Sequence, residues 1–478
     1  MNKNKNRIPA IFVPAIFTGI VLLFLGLSSC QVMNRYQTPE IDTSNLYRNN
    51  HSDSYSGDTT TIADIPWREY FTDTYLVGLI EEALEHNADL QVAVTTIRQA
   101  EASLNMARAS YFPTVALTGQ VTNTTTSNAD KTLGYNSQNV SLGIAASWEL
   151  DIWGKLNRQS RSKYALFLQS HSYRNLIQSS LIANIATSYY SLLALDEQLR
   201  ITTETVGLLD ENVETMMALK EAGMQNVNEA AVEQSRALML RTKLGIYDLE
   251  SAIHQLENSI SVMLGREPGT IERSAFEAQT VPAKLTTGIP AQLLARRPDV
   301  IQAELDFRSA FELTNQAQAS FYPSVTLNAG SMIGFASSGF SHFFNSENLL
   351  ANVIGGITQP IFNRGQLKGN LKIAKAQQEA ALITFRNTLL RAGQEVSDIL
   401  YSYESSVKKN SVRQEQVNSS QNAVEYTKEL LIAGEANYTE VLTAEQNFLS
   451  AQLGEVTDKL EQLQYSVNLC RALGGGAE

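Results

Sequence analysis

The chain has 478 residues, a formal net charge of −12 at pH 7 and only two cysteines. Nucleic-acid binding is not expected of so acidic a chain, because such sites are built from basic patches. With two cysteines, a fold held by several disulfides is also excluded.

The N-terminus predicts export from the cytoplasm. Three basic residues precede an apolar run over residues 8–27. This order of residue types is typical of a secretory signal peptide, here assigned to residues 1–29. The ending Leu27-Ser28-Ser29-Cys30 resembles a bacterial lipobox, which implies cleavage before Cys30 and lipidation of its sulfur. An uncleaved transmembrane anchor is the alternative, because about 20 apolar residues can span a bilayer.

A sequence repeat organises the rest of the chain. Aligning residues 89–117 with residues 299–327 gives 11 identities in 29 positions. Both copies contain an aromatic pair followed by proline, at Tyr111-Phe112-Pro113 and Phe321-Tyr322-Pro323. A repeat of this kind indicates that one structural unit is used twice. We assign residues 30–65 to a lipidated tether, 66–265 to repeat 1, 266–298 to an equatorial linker and 299–474 to repeat 2.

Each repeat contains two segments in which apolar and polar residues alternate. They predict strands at about 111–124, 139–153, 321–335 and 349–363, the last with weaker alternation. Alternation fits a half-buried soluble sheet or a membrane strand. The lengths suit a tilted membrane strand of about 9–11 residues, and aromatic residues at the segment ends favour the membrane. Glu149 and Asp151 lie on the polar face of the second strand, where they either line a lumen or are simply solvated.

After each strand pair comes a long helix. Residues 155–222 and 366–433 contain no proline, and each would form a helix about 100 Å long. Apolar residues recur every seven positions, which predicts a supercoiled seam with neighbouring helices. Each helix should end at a glycine, Gly223 or Gly434. Return helices over 226–264 and 437–473 would complete two helical hairpins.

This architecture predicts a conduit. Four strands cannot enclose a lumen, because known membrane barrels have at least eight. Open strand edges are not tolerated in lipid, so several copies must close one barrel. The five histidines have no metal-ligand spacing. We find no nucleophile elbow, P-loop or dinucleotide motif, and therefore expect no enzyme activity, metal or cofactor.

The sequence resembles the TolC/OprM-type outer-membrane factors, in particular the NodT-like lipoprotein branch of resistance-nodulation-division (RND) efflux systems. The resemblance rests on residues 293–304 (LLARRPDVIQAE), 147–154 (SWELDIWG) and 359–362 (QPIF), together with the lipobox. It implies a mainly α fold with a small β part. Helical hairpins would form a trimeric α-barrel continuous with a twelve-stranded membrane β-barrel, with four strands from each chain.

The resemblance also implies partners and a location. The homotrimer would sit in the bacterial outer membrane, lipid-anchored at Cys30 and extending into the periplasm. Its hairpin tips would dock to a periplasmic adaptor (membrane fusion protein) and an inner-membrane RND pump. Within the segment 293–304, Arg296-Arg297-Pro298-Asp299 is either a binding patch or a helix entry, and proline at a first turn favours the helix entry.

In this family, acidic side chains near the start of the return helix ring a closed periplasmic entrance. Glu440 falls on one acidic gate position, whereas Thr443 occupies a second and Ala436 replaces a basic gate residue. Glu229 is the equivalent of Glu440 in the first repeat. The resemblance therefore implies a periplasmic gate that depends less on salt bridges.

A helix-capping role competes with the gate role. The capping-box pattern is matched by both Asn226-x-x-Glu229 and Asn437-x-x-Glu440. Each such cap stabilises its helix by about 1 kcal/mol. Capping alone and capping combined with a gate are both consistent with the sequence.

The function predicted is a passive exit duct of a tripartite efflux system for small molecules. A type I protein-secretion duct is an alternative within transport. A structural coiled-coil envelope lipoprotein without a pore is the alternative from another class. The sequence does not define the substrate.

Overall fold

The computed structural model describes residues 34–43, 46, 61–126, 135–224, 227–281 and 293–477. Cys30 and Asn226 lie outside these described residues. The chain divides into two compact units. The first comprises Met1–Pro39, Ser103–Tyr164 and Arg308–Ala380, and the second comprises Glu40–Ala102, Ala165–Phe307 and Ala381–Glu478.

The repeat is visible in the order of elements. Repeat 1 contains α1 (Thr74–His86), α2 (Ala88–Ala109), β1 (Thr114–Thr126), β2 (Tyr135–Leu150), α3 (Lys155–Glu221) and α4 (Glu229–Met263). Repeat 2 contains α5 (Pro298–Ala319), β3 (Ser324–Ser337), β4 (Leu349–Thr358), α6 (Gln366–Ala433) and α7 (Tyr438–Ala472). The long helices α3 and α6 have 67 and 68 residues, and α4 and α7 have 35 residues each.

The strands differ from the predicted ranges at their ends. Tyr111 and Phe112 belong to a turn rather than to β1, because their amides bond back to the carbonyls of Arg108 and Ala109 at 3.2 and 2.9 Å. Proline, which follows this turn in both repeats, has no N–H to contribute to a strand ladder. Strand β4 ends at Thr358, five residues before the predicted boundary, where Pro360 follows.

The first unit contains one antiparallel sheet of four strands in the order β1-β2-β3-β4. Leu117 lies opposite Ile144, which in turn lies opposite Ile333, so these side chains share one face of the sheet. We call it the apolar face. The other face, which we call the polar face, carries the pair Thr114 and Ser147. β1 and β4 are the two edges of the sheet.

The first unit also contains a buried ion pair. The Glu312 carboxylate on α5 is completely buried and accepts a hydrogen bond from Arg158 Nη1 on α3 at 2.7 Å. Arg161 Nε lies 3.3 Å from the other carboxylate oxygen. Breaking such a buried pair would leave an uncompensated charge, so it joins the two repeats strongly at this point.

The second unit is helical, and its cores follow the predicted seven-residue seam. On α3, Ile185 and Leu192 are fully buried, as are Leu389 and Val396 on α6. The seam is interrupted on α6 at Asn410, which is exposed.

Near this interruption the α6–α7 contact is polar. Asp458 on α7 is buried and accepts a hydrogen bond from Arg413 Nε of α6 at 2.7 Å. Lys409 Nζ lies 2.5 Å from the second oxygen of the same carboxylate. Charge therefore replaces apolar packing in this layer of the hairpin.

Among the described residues, we find no helix that combines the length and apolarity required to cross a membrane.

Candidate functional site

The tips of the two helical hairpins contain the predicted gate residues. Gly223 and Gly434 have φ angles of +79° and +78°, a conformation that glycine adopts without strain. The amides that follow the helices bond back to them, from Met224 to the carbonyl of Leu219 at 3.2 Å and from Glu435 to that of Leu430 at 2.9 Å. Both long helices thus end in the same reversal, which directs the chain into a return helix.

The first return helix begins later than predicted. The cap of α4 is Asn228, whose side chain accepts from the Ala231 amide at 3.0 Å. The expected cap, Asn226, lies outside the described residues. The predicted capping box required Glu229 to be the third residue of the helix, and this is wrong because Glu229 directly follows the observed cap, Asn228. Val227 explains the shift, because it is buried in the same apolar cluster as Val232. This is the arrangement of a hydrophobic staple around Asn228.

Glu229 is consequently the first residue of α4 and is free for another interaction. Its side chain forms an ion pair and hydrogen bond with Lys220 of α3. The hydrogen bond from Lys220 and its positive charge lower the pKa of the Glu229 carboxyl. The contact closes the tip of the first hairpin with opposite charges.

The second return helix begins as predicted, at its cap Asn437. The Asn437 side chain accepts from the Glu440 amide at 3.2 Å. Its Nδ2 donates to Glu440 Oε1 at 2.8 Å, so the carboxylate is held by the amide of the capping side chain. Ala436, buried in the position before the cap, and Val441 occupy the staple positions here. Glu440 is exposed and remains available to a partner.

Thr443 does not extend this acidic site. Its hydroxyl donates to the carbonyl of Thr439 at 2.8 Å within the same helix.

Two contacts that sequence reasoning missed join the hairpins to each other near the tips. Tyr438, the first residue of α7, donates its buried hydroxyl to Ser235 Oγ of α4 at 2.6 Å. Burial raises the pKa of Tyr438 to about 12, although the Ser235 hydrogen bond lowers it. The tyrosine was not recognisable because its partner lies 203 residues away.

The second missed contact is centred on Glu445 of α7, which is buried. Its Oε1 accepts from Asn212 Nδ2 of α3 at 2.5 Å and lies 3.0 Å from Lys428 Nζ of α6. Its Oε2 is buried without a hydrogen-bond partner among the described residues. One carboxylate therefore joins three helices. This role could not be predicted from the residue spacing within α7, because the partners lie on α3 and α6.

Two acidic residues at the end of β2 have local partners: Glu149 lies within the strand and Asp151 just beyond it. Glu149 Oε1 accepts from Lys155 Nζ at 2.8 Å. Asp151 accepts from the amides of Leu156 and Asn157, both at 2.8 Å, and so caps the start of α3. This is a structural role for Asp151 at the helix start.

The Arg-Arg-Pro-Asp segment is a helix entry with buried ion pairs. Arg297 is buried and bonds to Asp299 at 2.6 Å and to Glu395 of α6 at 2.7 Å. Pro298 is the first residue of α5, as predicted. A buried arginine whose donors are occupied is not available as a surface binding patch.

The described residues contain no group of three or more His, Cys, Asp or Glu side chains that could hold a metal ion. The charged tip residues can attract, repel or dock, and they are not arranged for proton transfer or nucleophilic attack.

Comparison with known proteins identifies the family to which this chain belongs. The family model described as "Outer membrane efflux protein" matches residues 79–266 and 289–475. The chain belongs to the outer membrane efflux protein family. As a member of this family it is an outer-membrane channel, the exit duct of an efflux system, and not an enzyme.

Relatives span nearly the whole efflux protein. It is 30% identical over 416 residues to the probable outer membrane lipoprotein SilC of Salmonella typhimurium, covering 86% of this chain and 88% of SilC. It is 28% identical over 459 residues to the cation efflux system protein CusC of Escherichia coli K12, covering 95% and 97%. The structure of the outer-membrane channel OprN superposes with a TM-score of 0.86 at 25% identity, covering 94% of this chain and all of OprN.

Proposed function

We propose that three copies of this chain form a lipid-anchored duct in the outer membrane, docked at its tips to a periplasmic adaptor and an inner-membrane RND pump. Small molecules delivered by the pump leave through it passively. The observation that carries this proposal is a four-stranded sheet with one apolar face and two free edges.

The sheet requires more than one copy of the chain. In lipid, every backbone N–H and C=O group of a strand must be paired, so neither β1 nor β4 can remain an edge. Pairing β4 of one copy with β1 of the next satisfies both edges. Three copies give about twelve strands, above the minimum of about eight for a membrane barrel.

Aromatic side chains at one end of the sheet, where β1 and β3 begin and β2 ends, support a membrane position. Trp148 Nε1 donates to the carbonyl of Tyr111 at 2.8 Å, and Trp153 Nε1 donates to the carbonyl of Pro323 at 2.7 Å. The Trp153 ring also stacks on Tyr322 at 5.1 Å between centroids. Aromatic residues gathered at one end of the strands are typical of the girdle at a membrane interface.

The lipid anchor is proposed at Cys30, which lies outside the described residues. Four residues later, the carbonyl of Asn34 accepts from Asn315 Nδ2 of α5 at 3.5 Å, and Tyr36 packs edge-on against Phe311 at 5.6 Å. Four residues extend at most about 14 Å. The lipid would therefore lie within that distance of the sheet unit. Cys30→Ser should abolish labelling by radioactive palmitate; undiminished labelling would contradict the anchor.

Conductance tests the duct itself. The purified protein should have the mass of three chains and should produce discrete current steps in planar bilayers. A monomeric protein without conductance would instead support the envelope lipoprotein that has no pore.

The gate is a separate part of the proposal. Replacing Glu229 and Glu440 together by Gln removes two negative charges per copy from the tips. Gln can still accept the Asn437 hydrogen bond, so the cap is preserved and only charge is lost. We expect higher single-channel conductance or lower cation selectivity than in the native protein.

Glu211→Gln, an exposed change on α3 away from the tip, is the matched control and should leave both quantities unchanged. Equal conductance and selectivity in the double variant and the native channel would contradict the gate role. Glu440 would then serve only in helix capping, and Glu229 only in its ion pair with Lys220.

A further inference from the structure

The fourth strand carries apolar side chains on both faces of the sheet. Leu350 lies opposite Gly334, and Ile354 lies opposite Asn328. Asn328 in turn lies opposite Ser147 of β2, which belongs to the polar face. Leu350 and Ile354 are therefore on the polar face, and this placement accounts for the weak alternation of the fourth strand.

Their chain neighbours complete the apolar face. Leu349 lies opposite Phe335, and Ile357 lies opposite Val325. The strand thus offers one leucine and one isoleucine to each side of the sheet.

The two side chains on the polar face are open to solvent. Leu350 is 43% exposed and Ile354 is 51% exposed. Leu350 borders a pair of facing glycines, Gly143 and Gly334, and a Cβ on Gly334 would lie 2.4 Å from the Leu142 carbonyl oxygen. Because neither glycine has a side chain, Leu350 projects beside bare backbone.

A polar group lies between them. Asn352 is on the same face of β4, opposite Ser331. Leu350 and Ile354 are four residues apart, or about 13 Å along a strand. Along this face of β4, the Asn352 amide therefore lies between two apolar side chains, Leu350 and Ile354. The three together span about the length of a small organic molecule.

We propose that Leu350, Asn352 and Ile354 of each copy form an adsorption strip on the inner wall of the pore for small amphiphilic organic molecules. This inference rests on the proposed trimeric duct, in which the polar face encloses water. Apolar surface that is wet in the empty pore is covered when the alkyl or aryl part of a permeant lies on it. The amide of Asn352 can bond the polar part of the same molecule.

The experiment uses tetraalkylammonium ions as blockers of single-channel current, added on the side of the β3–β4 connection. Tetramethylammonium and tetrapentylammonium have the same charge but different apolar surface. In the native channel, tetrapentylammonium should block at lower concentration. L350T/I354T should raise its half-blocking concentration about fivefold to tenfold and leave tetramethylammonium unaffected.

The strand offers a matched control. L349T/I357T changes the same residue types on the opposite face and should leave block by both ions as in the native channel. The single change Ile354→Thr should give an intermediate effect.

The outcomes are distinct. Equal block of the native channel and L350T/I354T would overturn the strip while leaving the duct intact. Loss of the trimer in L350T/I354T but not in L349T/I357T would show that the pair packs against β1 of the next copy, which also overturns the strip. A native protein that conducts no current would overturn the duct and the strip together.

Discussion

At the scale of single residues, the hairpins are held by a few buried polar contacts with partners far away in the chain. Tyr438 with Ser235 and Glu445 with Asn212 each bring together residues more than 200 positions apart. A buried polar group costs free energy mainly when its partner is removed. Such contacts therefore favour one arrangement of the hairpins over others.

Tyr438→Phe should loosen the tips. It leaves the Ser235 hydroxyl buried without its partner, at a cost of about 1–3 kcal/mol. We expect faster amide hydrogen exchange in the first turns of α4 and α7. Adding Ser235→Ala removes the unpaired hydroxyl and should restore much of the protection. Native exchange rates in Tyr438→Phe would argue against a stabilising role for this bond.

Asp458→Asn should destabilise the α6–α7 hairpin. The buried carboxylate would lose charge-assisted hydrogen bonds to cations that are themselves partly exposed, at a cost of about 1.5–3 kcal/mol. The control is Glu461→Gln, because Glu461 is an exposed partner of the same Lys409, 3.4 Å away. An exposed pair is worth about 0–1 kcal/mol. Thermal unfolding followed by circular dichroism should show a large shift for the first variant only.

The ion pairs of Asp458 predict that the stability of the protein depends on pH. Burial raises the pKa of Asp458, but hydrogen bonds and charge from Arg413 and Lys409 outweigh burial and leave the pKa lowered. Its contribution is therefore complete above the unfolded value of about 3.9 and is lost as pH falls through the lower folded value. The stability difference between native protein and Asp458→Asn should stay constant from about pH 5 to 7 and shrink in stronger acid. A difference that already falls at about pH 6 would contradict this assignment.

At the scale of elements, the helix ends depend on glycine and the helix interior does not. Gly223 has a positive φ angle, whereas Gly207 lies inside α3, where an added methyl group would have no neighbouring atom within 4 Å. Gly223→Ala should cost about 1–2 kcal/mol through left-handed strain. Gly207→Ala should gain about 0.5–1 kcal/mol in helix stability. The melting temperature should therefore fall for Gly223→Ala and rise for Gly207→Ala. Equal shifts in the two variants would refute the distinction between the helix end and the helix interior.

Much of the element structure was predictable because local patterns determine it. The seven-residue seam and the absence of proline predicted α3 and α6, and strand alternation predicted the apolar face. The cap of α4 was not predictable from the Asn-x-x-Glu pattern, because burial of Val227 decides it. The placement of Leu350 on the polar face was hidden for a similar reason, since strand register depends on a partner strand.

At the scale of the whole molecule, the strongest prediction concerns substrates. Membership of the outer membrane efflux protein family leaves the permeant open. The proposed strip on β4 would favour amphiphilic organic molecules over hydrated metal ions. If it acts as proposed, an efflux-deficient host expressing L350T/I354T should lose resistance to amphiphilic compounds more than to hydrated metal ions.

The free edges of the sheet have a kinetic consequence. A single chain cannot insert its sheet into the membrane before it pairs with other copies, because both edge strands would carry unpaired backbone groups into hydrocarbon. Membrane entry and assembly are then one concerted event. Its initial rate at low protein density should rise with roughly the third power of chain concentration under the proposed trimer. The lipid tail, by holding chains at the surface, would act chiefly by raising that concentration.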